Sequence, residues 1–385
     1  MISLLAFSQW IQQTSNSTRT LRSICFTNEN TGIIVGDSGT ILKTTDGGTV
    51  WSIISSGTAK NLNSVDFPNA ETGFIVGDSG IILKTIDRGS TWAQNYSAPG
   101  LGDFYCVKFQ EVNKGWVTTS EGIILRTLDG GSIWYTLMPV IYAPLYSASF
   151  TDTTTCYIVG SAGDRGFIIK MLGISPTFLP ESKTGLYSVF FPDDSTGYAA
   201  GMYGTFVKTN DAGNSWNILQ HDTESFYYSV FFTDKNTGYI AGSDGLIKKT
   251  TNGGFSWIVS PSGISEVLKD IYFLNADTGY VVGENGTILK TNTGGVLSVD
   301  NKKPAGPALR VYPNPAHDKV ILVPEIKSSC KLILTITNMI GTQEFYKEFQ
   351  NQSACELDVS SFSKGIYLLK IQTGKGVEYK KLVIK

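Results

Sequence analysis

Short runs of alternating apolar and polar residues, each closed by a phenylalanine, recur along the first three quarters of the chain. The first run, Leu21–Phe26, alternates as a half-buried strand does; a turn follows at 30–32 and an apolar stretch at 33–35. The closing phenylalanines, spaced by 41 or 42 residues, are Phe26, Phe67, Phe109, Phe150, Phe191, Phe232 and Phe273. Units of this length with four short strands predict an all-β, seven-bladed β-propeller.

The tryptophans indicate how such a ring closes. Five of them precede the next repeat's phenylalanine by 16 or 17 residues, whereas the seventh repeat has Ser298 where its tryptophan should fall. Trp10 lies 16 residues before Phe26. We therefore expect the Trp10 segment to be the fourth strand of blade seven, paired with a third strand at 287–290. Closure by both chain ends removes a long exposed sheet edge.

Composition and charge divide the chain in two. Aromatic content of 12 %, 41 glycines and 17 % charged residues fit a β-rich globular protein. Residues 299–385 hold 13 Lys and Arg against 8 Asp and Glu, so they carry +5 and the remainder −7. An acidic propeller does not suit nucleic-acid binding, which needs clustered basic residues. No apolar stretch reaches the 18 residues of a membrane span.

A Pro/Gly/Lys stretch at 301–307 predicts a linker, followed by about seven short strands that fit a small Ig-like β-sandwich. This segment resembles the C-terminal sorting domain of the type IX secretion system, type A. The residues that carry the resemblance are Tyr312, Pro313, Asn314, Pro315, Gly341, Gly365, Tyr367 and Lys385. The family implies contact with the type IX secretion machinery and delivery to the outer cell surface or the medium.

The N-terminus fits export in part. Ala6-Phe7-Ser8 matches a small-x-small cleavage site after a short apolar segment. The expected organisation is a residual signal peptide at 1–8, the propeller at 9–296, a linker at 297–310 and the sorting domain at 311–385.

The repeats also carry a resemblance of their own. The run from Thr72-Gly73-Phe74 to Trp92 is similar to the photosystem II stability/assembly factor-like propellers, which share the Asp-box of BNR repeats, and residues 85–92 match that box at every position. Its carboxylates, expected to be structural because they lie in the turn between strands three and four, are Asp46, Asp87, Asp129 and Asp211.

The opposite face offers a candidate binding site. Turns between strands two and three place polar residues around the ring, and a ligand could be a cation or a basic surface. The candidates are Asp37, Asp78, Glu121, Asp164, Tyr203, Asp244 and Glu284. The competing interpretation is that acidic residues simply suit turns flanked by glycine.

Catalytic and cofactor chemistry find little support. Only six arginines and two histidines, His221 and His317, are present, so a sialidase-type arginine triad, a histidine metal site and a Ser-His-Asp relay are not expected. We predict no catalytic residues, no cofactor and no metal. Cys330 and Cys355 could pair in an oxidising compartment.

These patterns favour a monomeric, exported, non-catalytic binding or scaffold protein whose ligand is a surface glycan or a protein. The alternative is a secreted polysaccharide-cleaving glycoside hydrolase, because two carboxylates facing each other across a ring leave no local signature in the sequence.

Overall fold

The computed structural model describes residues 10–137, 141–179, 182, 184–220, 224–295, 309–324, 331–338, 343–350, 355–373 and 376–385. The chain divides into two compact units, Met1–Leu297 and Ser298–Lys385. The predicted signal remnant at 1–8 and the linker residues 297–308 lie outside the described residues, as do Gly341, His221 and Cys330.

Seven four-stranded antiparallel sheets form the described part of the first unit. Their strands are β1 (Ile11–Gln12), β2 (Leu21–Phe26), β3 (Gly32–Gly36), β4 (Thr40–Thr44), β5 (Ser52–Ile54), β6 (Leu62–Asp66), β7 (Gly73–Gly77), β8 (Ile81–Thr85), β9 (Ala93–Ser97), β10 (Phe104–Glu111), β11 (Lys114–Thr119), β12 (Ile124–Thr127), β13 (Tyr135–Leu137), β14 (Leu145–Phe150), β15 (Thr155–Ala162), β16 (Arg165–Leu172), β17 (Ser175–Phe178), β18 (Leu186–Phe190), β19 (Gly197–Gly201), β20 (Phe206–Thr209), β21 (Asn217–Gln220), β22 (Tyr227–Phe232), β23 (Gly238–Gly242), β24 (Ile247–Thr250), β25 (Ile258–Val259), β26 (Leu268–Phe273), β27 (Gly279–Gly283) and β28 (Ile288–Thr291).

Each successive group of four strands from β2 onward is one sheet, numbered sheet 1 to sheet 6, and sheet 7 consists of β26, β27, β28 and β1. The described helices are single 3-10 turns at Asp37–Gly39, Asp78–Gly80, Pro99–Leu101, Met202–Gly204 and Glu284–Gly286. The first strands of neighbouring sheets contact one another in order, and β26 contacts β2. The sheets therefore surround a central channel lined by their first strands.

The N-terminal strand completes sheet 7. Ile11 is opposite Lys290 and Gln12 is opposite Leu289, so the strand expected around Trp10 pairs with a third strand that begins at Ile288. The indole of Trp10 is buried, lies edge-on to Phe273 at 6.0 Å between centroids, and donates from Nε1 to Ser260 Oγ at 3.0 Å. Both chain ends of the propeller unit thus contribute to one hydrophobic core.

In every sheet except sheet 4, where Phe150 is opposite Cys156, the repeated phenylalanine fills the space above a glycine in the next strand. A Cβ built on Gly32 would lie 2.6 Å from the ring of Phe26, so no larger residue fits there without displacing the ring. Phe26 also packs edge-on against Trp51 and stacks on Tyr280 of sheet 7 at 4.3 Å. The strict sequence period therefore reflects one aromatic contact repeated between sheets.

In every sheet except sheet 3, which has Arg126 at this position, a lysine near the end of the third strand connects that sheet to the next. Lys84 Nζ lies 5.3 Å from the centre of the Phe74 ring and donates to the carbonyl of Gly130 in sheet 3 at 2.7 Å. Further bonds of the same kind join Lys170 to Ala212, Lys208 to Gly253, Lys249 to Gly294 and Lys290 to Gly47. These ammonium groups thus bind the carbonyls of a neighbouring turn.

The Asp-box carboxylates hold the turns between third and fourth strands. Asp87 accepts hydrogen bonds from the hydroxyl and the N–H of Thr91 at 2.6 and 2.9 Å, and from the hydroxyl of Thr85 at 2.7 Å. The bonds from Thr91 hold the pKa of Asp87 well below its usual value. Hydrogen bonds from the hydroxyl and N–H of Ser215 lower the pKa of Asp211 to about 2. The N–H groups of Val50 and Ile133 lower the pKa values of Asp46 and Asp129.

The second unit contains two described sheets. Its strands are β29 (Leu309–Tyr312), β30 (Lys319–Pro324), β31 (Lys331–Asn338), β32 (Gln343–Gln350), β33 (Cys355–Asp358), β34 (Gly365–Thr373) and β35 (Gly376–Ile384). Strands β29, β30 and β33 form one sheet, and β32, β31, β34 and β35 form the other. Buried residues from both sheets, among them Val320, Leu334 and Leu369, form its core.

We predict that Trp10→Ala lowers the free energy of unfolding by about 3–5 kcal/mol, because it empties a buried aromatic site. Ile11→Ala is the matched control: Ile11 is on the same strand but 61 % exposed, and its replacement should cost less than about 0.5 kcal/mol. Denaturant unfolding measures both. Equal losses would contradict a specific closing role for Trp10.

The Asp-box also predicts a pH dependence. A carboxylate with a lowered pKa in the folded state stabilises the fold above its unfolded pKa, and this stabilisation is lost as pH falls through the folded pKa. Asp87→Asn and Asp211→Asn should therefore flatten the fall in stability between about pH 5 and pH 2. Sheet 6 supplies the reverse test, since Asn252 accepts from Ser256 N–H at the equivalent position: Asn252→Asp should steepen that fall. Unchanged slopes in all three variants would refute this role.

Candidate functional site

The propeller unit has two faces with different loops. On the upper face, the second-to-third-strand turns meet the connections between sheets: the N–H of Asp37 donates to the carbonyl of Thr20, and that of Asp78 to Asn61, both at 2.9 Å. On the lower face, the Asp-box turns meet the first-to-second-strand turns, as when Gly47 N–H donates to Asn30 at 2.9 Å. The Asp-box therefore lies on the face opposite the upper turns.

A β-bulge in the first strand of every sheet places one residue at the upper mouth of the channel. In sheet 1 the ladder pairs Leu21 with Gly36 and Ser23 with Val35, so Arg22 is left outside the pairing. Bulges of this kind redirect a side chain away from the ladder. The seven mouth residues are Arg22, Asn63, Tyr105, Tyr146, Tyr187, Tyr228 and Lys269.

A layer of serines directly below the mouth links neighbouring first strands. Ser64 Oγ accepts from the N–H of Val107 in the next sheet at 3.2 Å, and Ser188 Oγ accepts from Val230 N–H at 3.1 Å. The same bond joins Ser23 to Val65, Ser147 to Val189 and Ser229 to Ile271.

Sheet 7 has a carboxylate at the serine position. Asp270 accepts from the N–H of Ile24 in sheet 1 at 3.0 Å and from the hydroxyl of Ser229 at 2.8 Å. Burial raises the pKa of Asp270. Its three hydrogen bonds, the third from its neighbour Ile271 N–H at 2.9 Å, compensate the buried group and complete the circle of links.

Four consecutive mouth residues are tyrosines, which we call the tyrosine arc: Tyr105, Tyr146, Tyr187 and Tyr228. The first pair stacks at 5.4 Å, the central pair meets edge to face at 5.2 Å, and the last pair stacks at 5.5 Å between centroids. All four rings are half-buried. Desolvation raises the pKa of each phenol, that of Tyr187 to about 12, so all four remain neutral donors at physiological pH.

The other three mouth residues have acidic partners within their own sheets. Arg22 forms an ion pair with Asp37, and Asn63 Nδ2 donates to Asp78 at 2.9 Å. Lys269 lies 3.4 Å from the carboxylate of Glu284, and its ammonium is 4.4 Å from the centre of the Tyr228 ring. The mouth therefore has a charged half in sheets 7, 1 and 2 and an aromatic half in sheets 3 to 6.

The structure places the seven candidate residues at different positions within the upper turns. Asp37, Asp78 and Glu284 take the first position of their turns, whereas Glu121 follows Ser120 and takes the second. Tyr203 and Asp244 also take the second position, with positive φ of 52° and 54°. Asp164 is exposed in the longer hairpin of sheet 4, where Ala162 pairs with Arg165. The seven candidates lie on the upper face but do not form one circle of equivalent groups.

Below the serine layer, charged and aromatic side chains line the channel. Asp66 and Lys108 form an ion pair at 3.3 Å, and Asp66 also accepts from Phe109 N–H at 2.7 Å. Phe190 and Phe231 pack at 4.7 Å on the other side. The whole cavity has a volume of about 500 Å³. In the described part of the chain no group of three His, Cys, Asp or Glu residues is placed to hold a metal ion.

The tyrosine arc was missed by the sequence analysis, although a signal was present. Tyr105, Tyr146, Tyr187 and Tyr228 follow one another at intervals of 41 residues, each one position after a large apolar residue. A comparison of equivalent repeat positions would have found this run. Its location at a bulge facing the channel has no such signature.

In the second unit, the sorting-motif residues bind its last strand. Asn314 Nδ2 donates to the carbonyl of Lys381 at 2.7 Å, while its Oδ1 accepts from Val383 N–H at 2.9 Å. Lys385 N–H donates to the Ala316 carbonyl at 2.9 Å. Tyr367 donates its hydroxyl to Ser363 at 2.7 Å, and Tyr312 is half exposed. The motif thus joins the first and last segments of this unit.

Solved structures with the same fold as the first unit include two YCF48 proteins. One, described as YCF48 bound to D1 peptide, is 22 % identical with a TM-score of 0.64, covering 75 % of this chain and 96 % of that one. The other, YCF48 from Cyanidioschyzon merolae, is 21 % identical with a TM-score of 0.62, covering 74 % and 98 %. The WD40 propeller domain of Doa1 is 14 % identical with a TM-score of 0.59, covering 74 % of this chain and 96 % of that one. The predicted all-β propeller class is thereby confirmed.

Family models match both units. Residues 310–385 match the secretion system C-terminal sorting domain, which indicates a secreted or surface-attached protein. No curated protein sequence matches the chain. No helix in the described segments is long and apolar enough to cross a membrane. Residues 2–141 and 177–260 match the model of the photosynthesis system II assembly factor YCF48. Because this match spans more than half of the sequence, the chain belongs to the YCF48 family of photosynthesis system II assembly factors.

Proposed function

We propose that this protein is a seven-bladed propeller exported by the type IX secretion system, which acts outside the cell as a non-catalytic binding module. Its ligand is an extended peptide segment of another protein, bound at the upper mouth of the channel. The Ig-like tail serves as the sorting signal. The photosystem role of the family is not proposed for this chain, because its sorting domain directs it to a different compartment.

One observation carries this proposal: the hydroxyls of the tyrosine arc have no hydrogen-bond partner among the described residues. Tyrosines that pack between sheets do have partners. Tyr198 donates to Lys235 at 2.6 Å and Tyr280 to Gly47 at 2.8 Å, both backbone carbonyls. Those two tyrosines are fully buried, whereas the arc hydroxyls are only half-buried, so all four remain free to donate to water or to a ligand.

The geometry of the arc favours a peptide over a glycan. Sugars bind tyrosine through exposed ring faces, but in the stacked pairs Tyr105–Tyr146 and Tyr187–Tyr228 neighbouring rings already cover each other. Ring edges and hydroxyls remain, and these suit the alternating N–H and C=O groups of an extended backbone. A relative of the same fold is described as bound to a peptide.

The enzymatic alternative is less well supported. The carboxylates that line the cavity in the described residues are Asp66 and Asp270. Asp66 is held by Lys108 and Phe109, and Asp270 by three hydrogen bonds from Ile24, Ser229 and Ile271. Both groups therefore have structural partners, whereas a glycosidase needs one carboxyl free to donate a proton and the other free to attack or activate water.

To test the binding site, we would select a displayed random peptide library against the purified full chain. Enriched peptides should lose affinity when Tyr146→Phe and Tyr187→Phe are combined, because these changes remove two hydroxyls and leave the rings in place. Tyr239→Phe is the matched control, since its hydroxyl donates to Gly294 within the fold: it should lower stability but not affinity. Affinities measured by fluorescence anisotropy that are equal in both variants would refute the site, and a selection without enrichment would refute peptide binding.

To test export, residues 311–385 would be deleted in a host with a type IX system. We expect a folded propeller retained in the periplasm, because the second unit has its own core and carries the sorting motifs. Cell fractionation with immunoblotting measures this. Truncated protein at the surface or in the medium would show that the tail is not the sorting signal.

A further inference from the structure

Several carboxylates of the upper face form no ion pair with the described residues. The two cations of the mouth, Arg22 and Lys269, already have Asp37 and Glu284 as partners. Three further carboxylates on the upper face, Asp103, Glu121 and Asp244, form no ion pair with any described residue. The residues before 299 carry a net charge of −7, so the surrounding field has the same sign.

These free carboxylates lie at the two ends of the tyrosine arc. Asp103 precedes Tyr105 by two residues and exchanges hydrogen bonds with Ser120, the neighbour of Glu121, at 2.8 and 3.0 Å. At the other end, Ser243, the neighbour of Asp244, donates its N–H to the carbonyl of Phe226, two residues before Tyr228, at 3.0 Å. Asp103 accepts one N–H bond, from Ser79 at 2.8 Å, and Glu121 accepts a hydroxyl bond from Ser120 at 3.3 Å. Each carboxylate can accept more than one donor, so capacity remains at both ends.

The arc already binds one cation of the protein itself. The Lys269 ammonium lies 4.4 Å from the centre of the Tyr228 ring while it pairs with Glu284 at 3.4 Å. An aromatic ring beside a carboxylate is thus an arrangement that holds an ammonium group here. Tyr105 likewise follows Asp103, which is hydrogen-bonded to the turn that holds Glu121, and neither carboxylate forms an ion pair with a Lys or Arg of the described residues.

We propose that the ligand segment is basic: an extended peptide whose backbone lies along the tyrosine arc and whose Lys or Arg side chains pair with Glu121 and Asp103 at one end and Asp244 at the other. This inference rests on the proposed function, whose peptide-binding site it makes specific. Ring edges and hydroxyls bind the backbone, while the carboxylates select the side chains. Peptides with acidic side chains are repelled by the same groups.

The test uses a defined probe, an alternating lysine–alanine hexapeptide with blocked ends, titrated against the full chain by calorimetry. The same peptide with glutamine in place of lysine should bind at least about tenfold more weakly, and binding of the lysine peptide should weaken as salt rises. Glu121→Gln combined with Asp244→Asn should lower the affinity for the lysine peptide about tenfold and reduce its salt dependence.

Glu29→Gln is the control matched to Glu121→Gln alone, because each removes one negative charge and Glu29 is exposed in a lower-face turn away from the mouth. It should leave the affinity unchanged. An equal loss in Glu29→Gln would show only general attraction to an acidic protein and would overturn the proposal. Tight binding of the glutamine peptide would overturn it too.

Failure of the inference can be told apart from failure of the proposed function. If library peptides bind, lose affinity in the tyrosine double variant, but carry no Lys or Arg and ignore Glu121→Gln, the mouth is a peptide site without charge selection. If neither library nor lysine peptides bind, the peptide-binding function itself is refuted.

Discussion

The hydrogen bonds that pass from the first strand of one sheet to the first strand of the next determine the geometry of the channel. Neighbouring first strands belong to different sheets, so an N–H such as that of Val107 has no ladder partner and bonds instead to Ser64 Oγ at 3.2 Å. Because the bulged residue directly precedes the serine, the same link that spaces the sheets also places the mouth residue. A change in this layer would therefore move the binding surface as well as the scaffold.

Two different interactions close the ring of sheets at the junction between sheets 7 and 1. At the outside, β1 adds the fourth strand of sheet 7, and Trp10 packs behind it. At the inside, Asp270 replaces the serine and accepts from Ile24 across the seam. A carboxylate is longer than a hydroxyl and accepts more hydrogen bonds. Burial of Asp270 raises its pKa, so the junction between sheets 7 and 1 carries a desolvation cost that the serine junctions do not have. Sheet 3 has Cys106 at the serine position, and a thiol accepts hydrogen bonds more weakly than a hydroxyl does.

The sequence predicted those features that repeat a residue type. Phe26 and its equivalents recur because all of them except Phe150 cover a glycine. The position of Trp10 could be predicted because the seventh repeat lacks a tryptophan near Ser298. Features that depend on register could not be predicted. The bulge at Arg22 shifts one strand by a single residue. Such a bulge leaves no signature in the sequence, because the residues at the equivalent position of the other sheets range from lysine to tyrosine. The turns that hold the acidic candidates align in sequence, but the alignment does not show that Asp37 and Asp244 take different positions within them.

The two halves of the mouth follow one local rule. Where the bulged residue is Arg22, Asn63 or Lys269, the first turn position of that sheet holds an acid that pairs with it. Where the bulged residue is Tyr105, Tyr187 or Tyr228, that turn position holds Ser120, Met202 or Ser243. Each charged mouth residue is thus satisfied inside its own sheet, and each of these tyrosines lacks a carboxylate there. The phenol hydroxyls of the tyrosine arc therefore remain without a carboxylate partner in their own sheets. Because they are confined to sheets 3 to 6, a bound segment contacts four phenols on one side and ion-paired side chains on the other. A mouth with that asymmetry distinguishes the two sides of its ligand, which a ring of seven equivalent residues could not do.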